Sequence, residues 1–418
     1  MHTLRAFFAL ALAVTIGVSS GGAQAAVTPP AIGHVFVIVL ENESFEVTFG
    51  PKSPARYLAR TLPARGVLLT HYYGTGHYSL DNYLAMISGQ AANPDTRDDC
   101  ETFSDFVATG TTPDGQAIGH GCVYPANVLT LADELKAVGK DWRGYFEDMG
   151  NDPAREASSC AHPAIGAADG TQKAQKPSAT VPKGDQYAAR HNPFVYFHSI
   201  IDSPDCATHV VRLEQLTADL ASAASTPAFS FVTPSLCSDG HDTPCVDHRP
   251  GGLRSADAFL REWVPRILAS EAYRKDGLLI VTFDEGESES TPDGSGGTSV
   301  RYEGEMCCNQ QPGPNLGAFP ETKKYAHATV TIGDFGGDRT GTVLLSPFLT
   351  PGTRSATPFN HYSLLRTIED LLGTGRHLGY AGQAGLVGFF EHPGSHISLR
   401  PPAARVQAAA VPAAHATN

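Results

Sequence analysis

Continuous apolar runs recur along the chain and predict its architecture. Runs of this length and composition are typical of strands that are buried on both faces of a parallel sheet. The long runs are Val35–Leu40, Ala228–Pro234, Gly277–Phe283 and Gly341–Phe348, and shorter candidates begin at Arg65 and Trp142. The pattern therefore predicts a large, mostly parallel sheet.

Amphipathic segments with a period near 3.6 residues alternate with these runs and predict helices. In the segment SLDNYLAMISG, Leu80, Leu84 and Ile87 share one face, and Gly89 is a typical C-terminal stop. Further helices are expected in TLADELKAVG, VVRLEQLTADLASA, SADAFLREWVPRIL and SLLRTIEDLLG. Alternating strands and helices over this length indicate a doubly wound α/β fold, with a central sheet flanked by helices.

Two long segments interrupt this alternation. Residues 151–185 and 287–325 are rich in Gly, Pro, Ser and Asn and have weak periodicity. We expect them to be loop insertions over a site. Residues 399–418 form an Ala/Pro-rich tail that is expected to be disordered, which places the folded domain at residues 27–398.

The N-terminus has the pattern of a cleaved signal peptide. Arg5 precedes the apolar stretch AFFALALAVTIGV, and Ala23-Gln24-Ala25 fits an A-x-A cleavage motif. We therefore expect residues 1–26 to be removed on export to the periplasm or the medium. A membrane anchor is the alternative, but the apolar stretch is short for a spanning helix, so stable anchoring is not expected.

The acidic composition bears on the choice of partner. The 418 residues carry a formal net charge of −13, which argues against nucleic acid as the main partner. It leaves small phosphorylated substrates open, because they respond to the local charge of a site. The oligomeric state is left open.

Eight cysteines in a chain with an export signal indicate disulfides. The plausible pairs are Cys100 with Cys122, Cys160 with Cys206, and Cys237 with Cys245. The adjacent Cys307 and Cys308 are left unassigned. A Cys₄ zinc site is the alternative, but no C-x₂-C repeat supports it.

Polar side chains follow two of the long apolar runs. Glu41 and Asn42 follow the first run, and Asp284 and Glu285 follow the third. Ligands of an open parallel sheet bind beyond the carboxyl ends of its strands, so these side chains are expected to meet. Either acidic pair alone could be a solvated loop. Their occurrence after two buried strands favours a divalent cation that is held by all four side chains.

A serine stands at the predicted start of a helix, in the motif GTGHYSLDNYLAMISG. As an ordinary N-cap, the Ser79 hydroxyl would need no further role. The same position favours a bound anion, and a serine on a cation can ionise and attack phosphorus. Ser79 is therefore the candidate nucleophile, with Thr75 as its rival. His77 and Asn82 flank Ser79 and are expected to contact a phosphate.

Two further histidines belong to the candidate site. The second apolar run, Ala228–Pro234, leads into SLCSDGHD, which contains Asp239 and His241, and His361 stands just before the last predicted helix. A lone histidine is more often a capping or surface residue. Here these two form a set with His77.

Six motifs occur in order and together resemble the phosphoesterase family of secreted acid phosphatases and phospholipases C, which belongs to the alkaline phosphatase superfamily. They are VIVLENESFEVTFG, TGHYSLDNYLAMISG, NPFVYF, FSFVTPSLCSDGHD, VTFDEG and NHYSLLRTIEDLLG. The resemblance runs from about His34 to about Gly373. Each motif alone is modest, and their order makes the signal strong.

The resemblance implies metal-dependent phosphoryl transfer through a phosphoseryl intermediate on Ser79. The residues matched to metal ligands are Glu41, Asn42, Ser79, Asp284 and Glu285. It matches His241 and His361 to histidines near the phosphate. Asp239, His241 and His361 could bind a second metal, but one cation is favoured.

The expected chemistry follows from these ligands. All-oxygen ligands favour Ca²⁺, Mg²⁺ or Mn²⁺ over Zn²⁺. Protonated histidines would neutralise phosphate charge best at mildly acidic pH, which predicts an acidic optimum.

Three functions are consistent with the sequence. The first is a phosphomonoesterase of broad specificity acting on a small phosphorylated substrate. The second is a phospholipase C or other phosphodiesterase, which is less favoured because the bacterial lipases compared are longer. The third is an inactive binding protein, against which the retained acidic and hydroxyl positions argue.

Overall fold

The computed structural model describes residues 32–294, 296–391 and 397. The expected signal peptide and C-terminal tail lie outside these residues. The strands are β1 His34–Leu40, β2 Val67–Leu69, β3 Tyr72–Gly74, β4 Val107–Thr111, β5 Ala117–His120, β6 Trp142–Phe146, β7 Val210–Arg212, β8 Phe229–Thr233, β9 Gly277–Phe283, β10 Glu289–Pro292, β11 Thr298–Tyr302, β12 Glu321–Lys324, β13 Ala328–Ile332, β14 Gly337–Arg339, β15 Thr342–Leu345, β16 Thr353–Ser355 and β17 Phe359–Asn360.

Helices pack around these strands. The α-helices are α1 Phe45–Phe49, α2 Leu62–Arg65, α3 Ser79–Ser88, α4 Leu131–Ala137, α5 His198–Ile201, α6 Asp205–His209, α7 Gln215–Asp219, α8 Gly252–Ala269, α9 Glu271–Asp276 and α10 His361–Leu372. None of the described helices is long and apolar enough to cross a membrane.

The main sheet has eight strands in the order β16–β2–β15–β9–β1–β8–β6–β7. Its pairings are parallel except for the two that β15 makes with β2 and β9. The mostly parallel α/β sheet is therefore confirmed. The prediction of another parallel strand at 341–348 is wrong in direction, because an apolar run reports burial on both faces and carries no information about polarity.

Strand β1 shows why the central strands read as continuous apolar runs. Val37 and Val39 belong to the core on one face, and Phe36 and Ile38 belong to the core on the other. Helices α3 and α10 contribute to the first core, and α8 contributes to the second. Each fully buried aliphatic side chain stabilises the fold by about 1.5–3 kcal/mol relative to its exposed state. The sheet and the helices on its two faces form three layers, which hold the carboxyl ends of β1, β8 and β9 at one edge.

Most predicted helices form at the positions that the hydrophobic period of about 3.6 residues indicates. Helix α3 ends at Gly89, whose φ of 65° is left-handed and therefore suits glycine. The helix predicted over VVRLEQLTADLASA forms only in part, as the short helix α7, because the first three residues of the segment form strand β7. The β-branched Val210 and Val211 pair with β6, and this pairing overrides the helical period.

The two insertions differ in structure. Residues 151–185 contain no α-helix or β-strand, as expected of a loop insertion. Residues 287–325 contain β10, β11 and β12, which join β13 in a second, four-stranded sheet. The expectation of an irregular loop there is wrong, because its Gly and Pro content obscured short β-branched stretches such as TSVRY.

All three predicted disulfides are present, and Cys307 pairs with its neighbour Cys308. Among the described residues, the one cluster with metal-ligand spacing is Cys237, Cys245 and Asp247. Its two cysteines are joined to each other, so they are not available as thiolate ligands.

Candidate active site

The ends of β1 and β9 bring the two predicted polar pairs together. Leu40 and Phe283 are partners in the parallel ladder, so the residues that follow them lie side by side. The backbone N–H of Asn42 donates to Oδ1 of Asp284 at 3.0 Å. The Asn42 side chain donates to Oε1 of Glu285 at 3.1 Å. A φ of 43° at Asn42 turns the chain sharply here, in a region that asparagine tolerates better than most residues.

Ser79 is the first residue of α3, and its side chain does not cap this helix. The N-cap position belongs to Tyr78, which makes no side-chain capping bond and has a φ of 78°. The Ser79 hydroxyl donates instead to Oε2 of Glu41 at 2.8 Å. The ordinary N-cap interpretation of Ser79 is therefore not what the structure shows. The strained backbone at Tyr78 turns the hydroxyl towards the carboxyl end of the sheet.

Glu41 is held by two hydroxyl groups. Its Oε2 accepts from Ser79, and its Oε1 accepts from the Tyr83 hydroxyl at 2.5 Å. Both donors lie on α3, one helical turn apart. The backbone N–H of Glu41 donates to the carbonyl oxygen of Asp239 at 3.0 Å, which ties the end of β1 to the loop after β8.

Three buried carboxyl groups converge on this edge of the sheet. Burial, reinforced by the neighbouring charge of Asp284, raises the pKa of Glu41 well above its ordinary value. Burial together with Glu285 does the same to the pKa of Asp284, and burial together with Glu41 does so at Asp239. Such a cluster is costly without a positive charge, because each carboxylate is desolvated beside another.

The free oxygen atoms of this cluster fit a hard cation. Asp284 Oδ2, Asp239 Oδ2 and Asn42 Oδ1 are buried and have no hydrogen-bond partner in the described part of the chain. Buried polar atoms without partners are rare in native proteins, and carboxylate and amide oxygens are the ligands that Ca²⁺ and Mg²⁺ prefer. The residues present are therefore suited to hold such an ion.

Glu285 and His77 form a second buried pair beside this cluster. Glu285 Oε2 contacts His77 Nδ1, and His77 Nε2 lies 2.9 Å from Oδ2 of Asp338. Burial disfavours the charged ring, but Glu285 and Asp338 together outweigh it and raise the pKa of His77 to about 9. Glu285 uses its two oxygens on Asn42 and His77, so its role as a metal ligand stays a prediction.

Asn82 closes the loop that precedes α3. Its Oδ1 accepts from the backbone N–H groups of Thr75 and Gly76, at 2.7 and 3.1 Å, and its Nδ2 donates to the carbonyl oxygens of Gly76 and Tyr78. The Thr75 hydroxyl also donates to Asn82 Oδ1, at 3.2 Å. The phosphate contact predicted for Asn82 stays a prediction, and the loop occupies its amide. Thr75 is a poor rival nucleophile, because its hydroxyl points into the loop.

The other two predicted histidines lie in different environments. His361 is fully buried, with Nδ1 at 2.9 Å from the Tyr72 hydroxyl and Nε2 at 2.5 Å from the carbonyl oxygen of Asp284. Burial lowers the pKa of His361 to about 4, so its ring is neutral at mildly acidic pH. This environment disfavours a protonated His361, and its expected role near the phosphate stays a prediction. His241 is exposed, and its backbone N–H donates to Oδ1 of Asp239 at 3.0 Å.

Sequence reasoning missed His191. Its ring stacks on Tyr83 with centroids 5.3 Å apart, and its Nε2 lies 3.3 Å from Oε2 of Glu41. Burial lowers the pKa of His191 well below its ordinary value, which leaves a neutral ring beside the Glu41 carboxyl. The sequence feature that could have indicated His191 is its position directly before the motif NPFVYF, which begins at Asn192.

Comparison with known proteins shows the family of the chain. Residues 55–374 match the phosphoesterase family. The chain belongs to this family. It is similar to a phosphate-repressible acid phosphatase of Penicillium chrysogenum, with 28% identity over 255 residues that cover 61% of this chain and 48% of the relative.

The chain is also similar to a bacterial phosphatase and to a solved structure. A phosphatidylinositol-3-phosphatase of Mycobacterium tuberculosis is 24% identical over 373 residues, which cover 89% of this chain and 87% of that protein. A solved structure of an alkaline phosphatase superfamily protein from Vibrio parahaemolyticus has 12% identity and a TM-score of 0.42, covering 83% of this chain and 68% of the other. This phosphoesterase spans about half the length of the acid phosphatases it matches.

Proposed function

We propose that this phosphoesterase hydrolyses phosphate monoesters, with Ser79 as the nucleophile. The observation that carries the proposal is the hydrogen bond from the Ser79 hydroxyl to buried Glu41, at the first residue of α3. Membership of the phosphoesterase family and the similarity to acid phosphatases support it.

The chain's own groups account for positioning and charge. The Ser79 hydroxyl loses its proton and its oxygen attacks phosphorus, while the bond to the ester oxygen breaks and the leaving oxygen takes up a proton. Water later cleaves the phosphoseryl bond, which releases phosphate and restores the Ser79 hydroxyl. The dipole at the N-terminal end of α3 would stabilise negative charge on the phosphate, although the N–H of Leu80 in its first turn donates to Oδ1 of Asp99. The His77 ring lies between the carboxyl groups of Glu285 and Asp338, which raise its pKa, and it would partly offset their negative charge beside the site.

We propose that one divalent cation is bound by Glu41, Asn42 and Asp284, with Ser79 beside it and Glu285 as a further ligand. Such an ion would lower the pKa of the Ser79 hydroxyl and neutralise phosphate charge. Ca²⁺, Mg²⁺ and Mn²⁺ suit these oxygen ligands better than Zn²⁺. A second ion on Asp239, His241 and His361 is less favoured, because His361 uses both ring nitrogens within the fold.

A small phosphorylated alcohol is the substrate we favour. A phosphomonoester on a lipid headgroup is the second candidate, because the similarity to the phosphatidylinositol-3-phosphatase covers 89% of this chain. We further propose that the protein acts after export, in the periplasm or the medium, since disulfides persist in oxidising compartments.

The test compares the protein with its Ser79→Ala variant on p-nitrophenyl phosphate, bis-p-nitrophenyl phosphate, phosphatidylinositol 3-phosphate and phosphatidylcholine. Each substrate is assayed with and without EDTA, and Thr75→Val serves as the matched hydroxyl control. We expect monoester hydrolysis to fall at least about a thousandfold in Ser79→Ala and to require a divalent cation.

Each other outcome assigns a different function or nucleophile. Turnover confined to phosphatidylcholine would favour a phospholipase C, and turnover of the bis-ester alone would favour a phosphodiesterase. Full activity of Ser79→Ala would refute the nucleophile assignment. The absence of activity on every substrate in the unmodified protein would favour the inactive binding protein.

A further inference from the structure

A tight turn in the second insertion carries a disulfide between adjacent residues. We define the CCNQ turn as residues 307–310. The backbone N–H of Gln310 donates to the carbonyl oxygen of Cys307 at 3.0 Å and closes it. The disulfide between Cys307 and Cys308 closes a small ring through their shared peptide bond. Cys308 and Asn309 have φ values of 65° and 55°, which side chains rarely adopt, so the ring and the turn restrain each other.

The side chain of Gln310 leaves this turn and reaches the loop before α3. Its Nε2 donates to the carbonyl oxygen of Thr75 at 2.8 Å and lies 3.3 Å from that of Phe335. Gln310 is only 6% exposed, although it belongs to an insertion that is otherwise largely at the surface. We call the loop before α3, residues 75–78, the nucleophile loop. Gln310, 235 positions from Thr75 in the chain, therefore fixes the backbone of this loop.

The same turn also packs against a buried cluster to which α3 contributes. Cys308 packs against a small buried cluster that includes Ala85 of α3. The other members of this cluster are Ala91, Tyr362, Tyr380 and Leu386. The Gln383 side chain donates to the carbonyl oxygen of Asn309 at 2.5 Å and holds the turn from its outer side. The CCNQ turn thus contacts the loop that precedes Ser79 and packs against a cluster that includes one residue of the helix that begins with Ser79.

These contacts divide the support of the nucleophile loop between two elements. Asn82 of α3 holds the N–H and hydroxyl groups of Thr75, and Gln310 of the insertion holds its carbonyl oxygen. Ser79 follows Thr75 by one short turn of chain that includes the strained Tyr78. Small displacements of a reacting group are costly in catalysis, so a loop held from both sides would set the attack geometry.

We propose that Gln310 is a positioning residue for Ser79 and that the Cys307–Cys308 disulfide sets the position of Gln310. The proposal rests on Ser79 acting as the nucleophile of a phosphomonoesterase. It adds that the second insertion completes the site from outside the main sheet. Opening the ring requires two electrons from a dithiol, which becomes a disulfide while both sulfurs become thiols, and it would release Gln310 from Thr75.

The test measures kcat and KM on p-nitrophenyl phosphate for Gln310→Met, which keeps the length of the side chain but has no donor. Gln311→Met is the matched control, because Gln311 is exposed and donates to the carbonyl oxygen of Asn309 within the same turn. For Gln310→Met we expect kcat to fall about fivefold with KM within about twofold of its original value, and Gln311→Met to leave both unchanged. A loss limited to protein stability would leave kcat per folded molecule unchanged and would refute the proposal.

Two further measurements separate the alternatives. Cys307→Ala/Cys308→Ala should reproduce the fall in kcat, and it serves as the second variant if Gln310→Met does not fold. Hydrogen exchange of the peptide that covers residues 74–79 should be faster in both variants and unchanged in Gln311→Met. If exchange is faster in the two variants but the unmodified protein has no phosphatase activity, only the proposed function is refuted. Unchanged kcat and exchange in both variants would refute the role of Gln310.

Discussion

The hydroxyl of Ser79 lies 2.8 Å from Oε2 of Glu41, although 38 residues separate them in the chain. This contact joins the first residue of α3 to the carboxyl end of β1. It places the proposed nucleophile directly beside a buried carboxyl group of the proposed metal site, since Glu41 is only 1% exposed.

The first prediction concerns Glu41 and its neighbour Glu43. We expect Glu41→Gln to lower the affinity for Ca²⁺, Mg²⁺ or Mn²⁺ by more than about tenfold, because the amide removes a negative charge from the site. Glu43→Gln is the matched control, since Glu43 has no predicted metal role and is partly exposed. Isothermal titration calorimetry measures both affinities. Equal effects of the two substitutions would contradict the assignment of Glu41.

The second prediction concerns the Tyr83 hydroxyl, which donates to Oε1 of Glu41. We expect Tyr83→Phe to lower the affinity for the cation by about tenfold, because Glu41 then loses a charge-assisted hydrogen bond. The ring that stacks on His191 remains. Tyr145→Phe is the control, since Tyr145 donates to buried Asp219 at 2.7 Å. A similar loss of affinity in both variants would indicate a general effect on stability.

The third prediction separates two roles for Asn82. We expect Asn82→Ala to lower the free energy of unfolding by about 2–4 kcal/mol, because it removes the hydrogen bonds that close the loop before α3. Urea unfolding measures this change, and Asn127→Ala, at an exposed asparagine, is the control. An unchanged stability together with a raised KM would show instead that Asn82 serves mainly to bind phosphate.

The apolar runs predicted the central fold well because burial on both sheet faces leaves a direct mark on the sequence. The apolar run at Val35–Leu40 predicted strand β1, and its end located the polar residues Glu41 and Asn42. The direction of β15 does not follow, because Val343 and Leu344 are buried alike in a parallel or an antiparallel strand.

The missed parts of the candidate site depend on distant contacts. His191 and Tyr83 meet only because a short loop near the sheet edge packs against α3. Neither the period of α3 nor the composition of that loop reports this contact. Gln310 is a similar case, since the Gly- and Pro-rich insertion around it indicated a surface loop and gave no sign of a buried side chain.

The last prediction concerns a buried carboxyl group of α10 away from the proposed metal site. Burial raises the pKa of Glu369 to about 9, so the folded protein keeps a proton that the unfolded chain loses near 4.5. Its contribution to stability is fully present below about pH 4.5 and is lost as the pH rises towards 9, at about 1.4 kcal/mol per unit. In the unmodified protein we expect the free energy of unfolding to decrease by about 2–3 kcal/mol between pH 5 and pH 7. Glu369→Gln should abolish this decrease. Asp370→Asn, at an exposed position of the same helix, should retain it. Urea unfolding at several pH values measures the slopes, and an unaltered slope in Glu369→Gln would show that Glu369 is ionised in the folded protein.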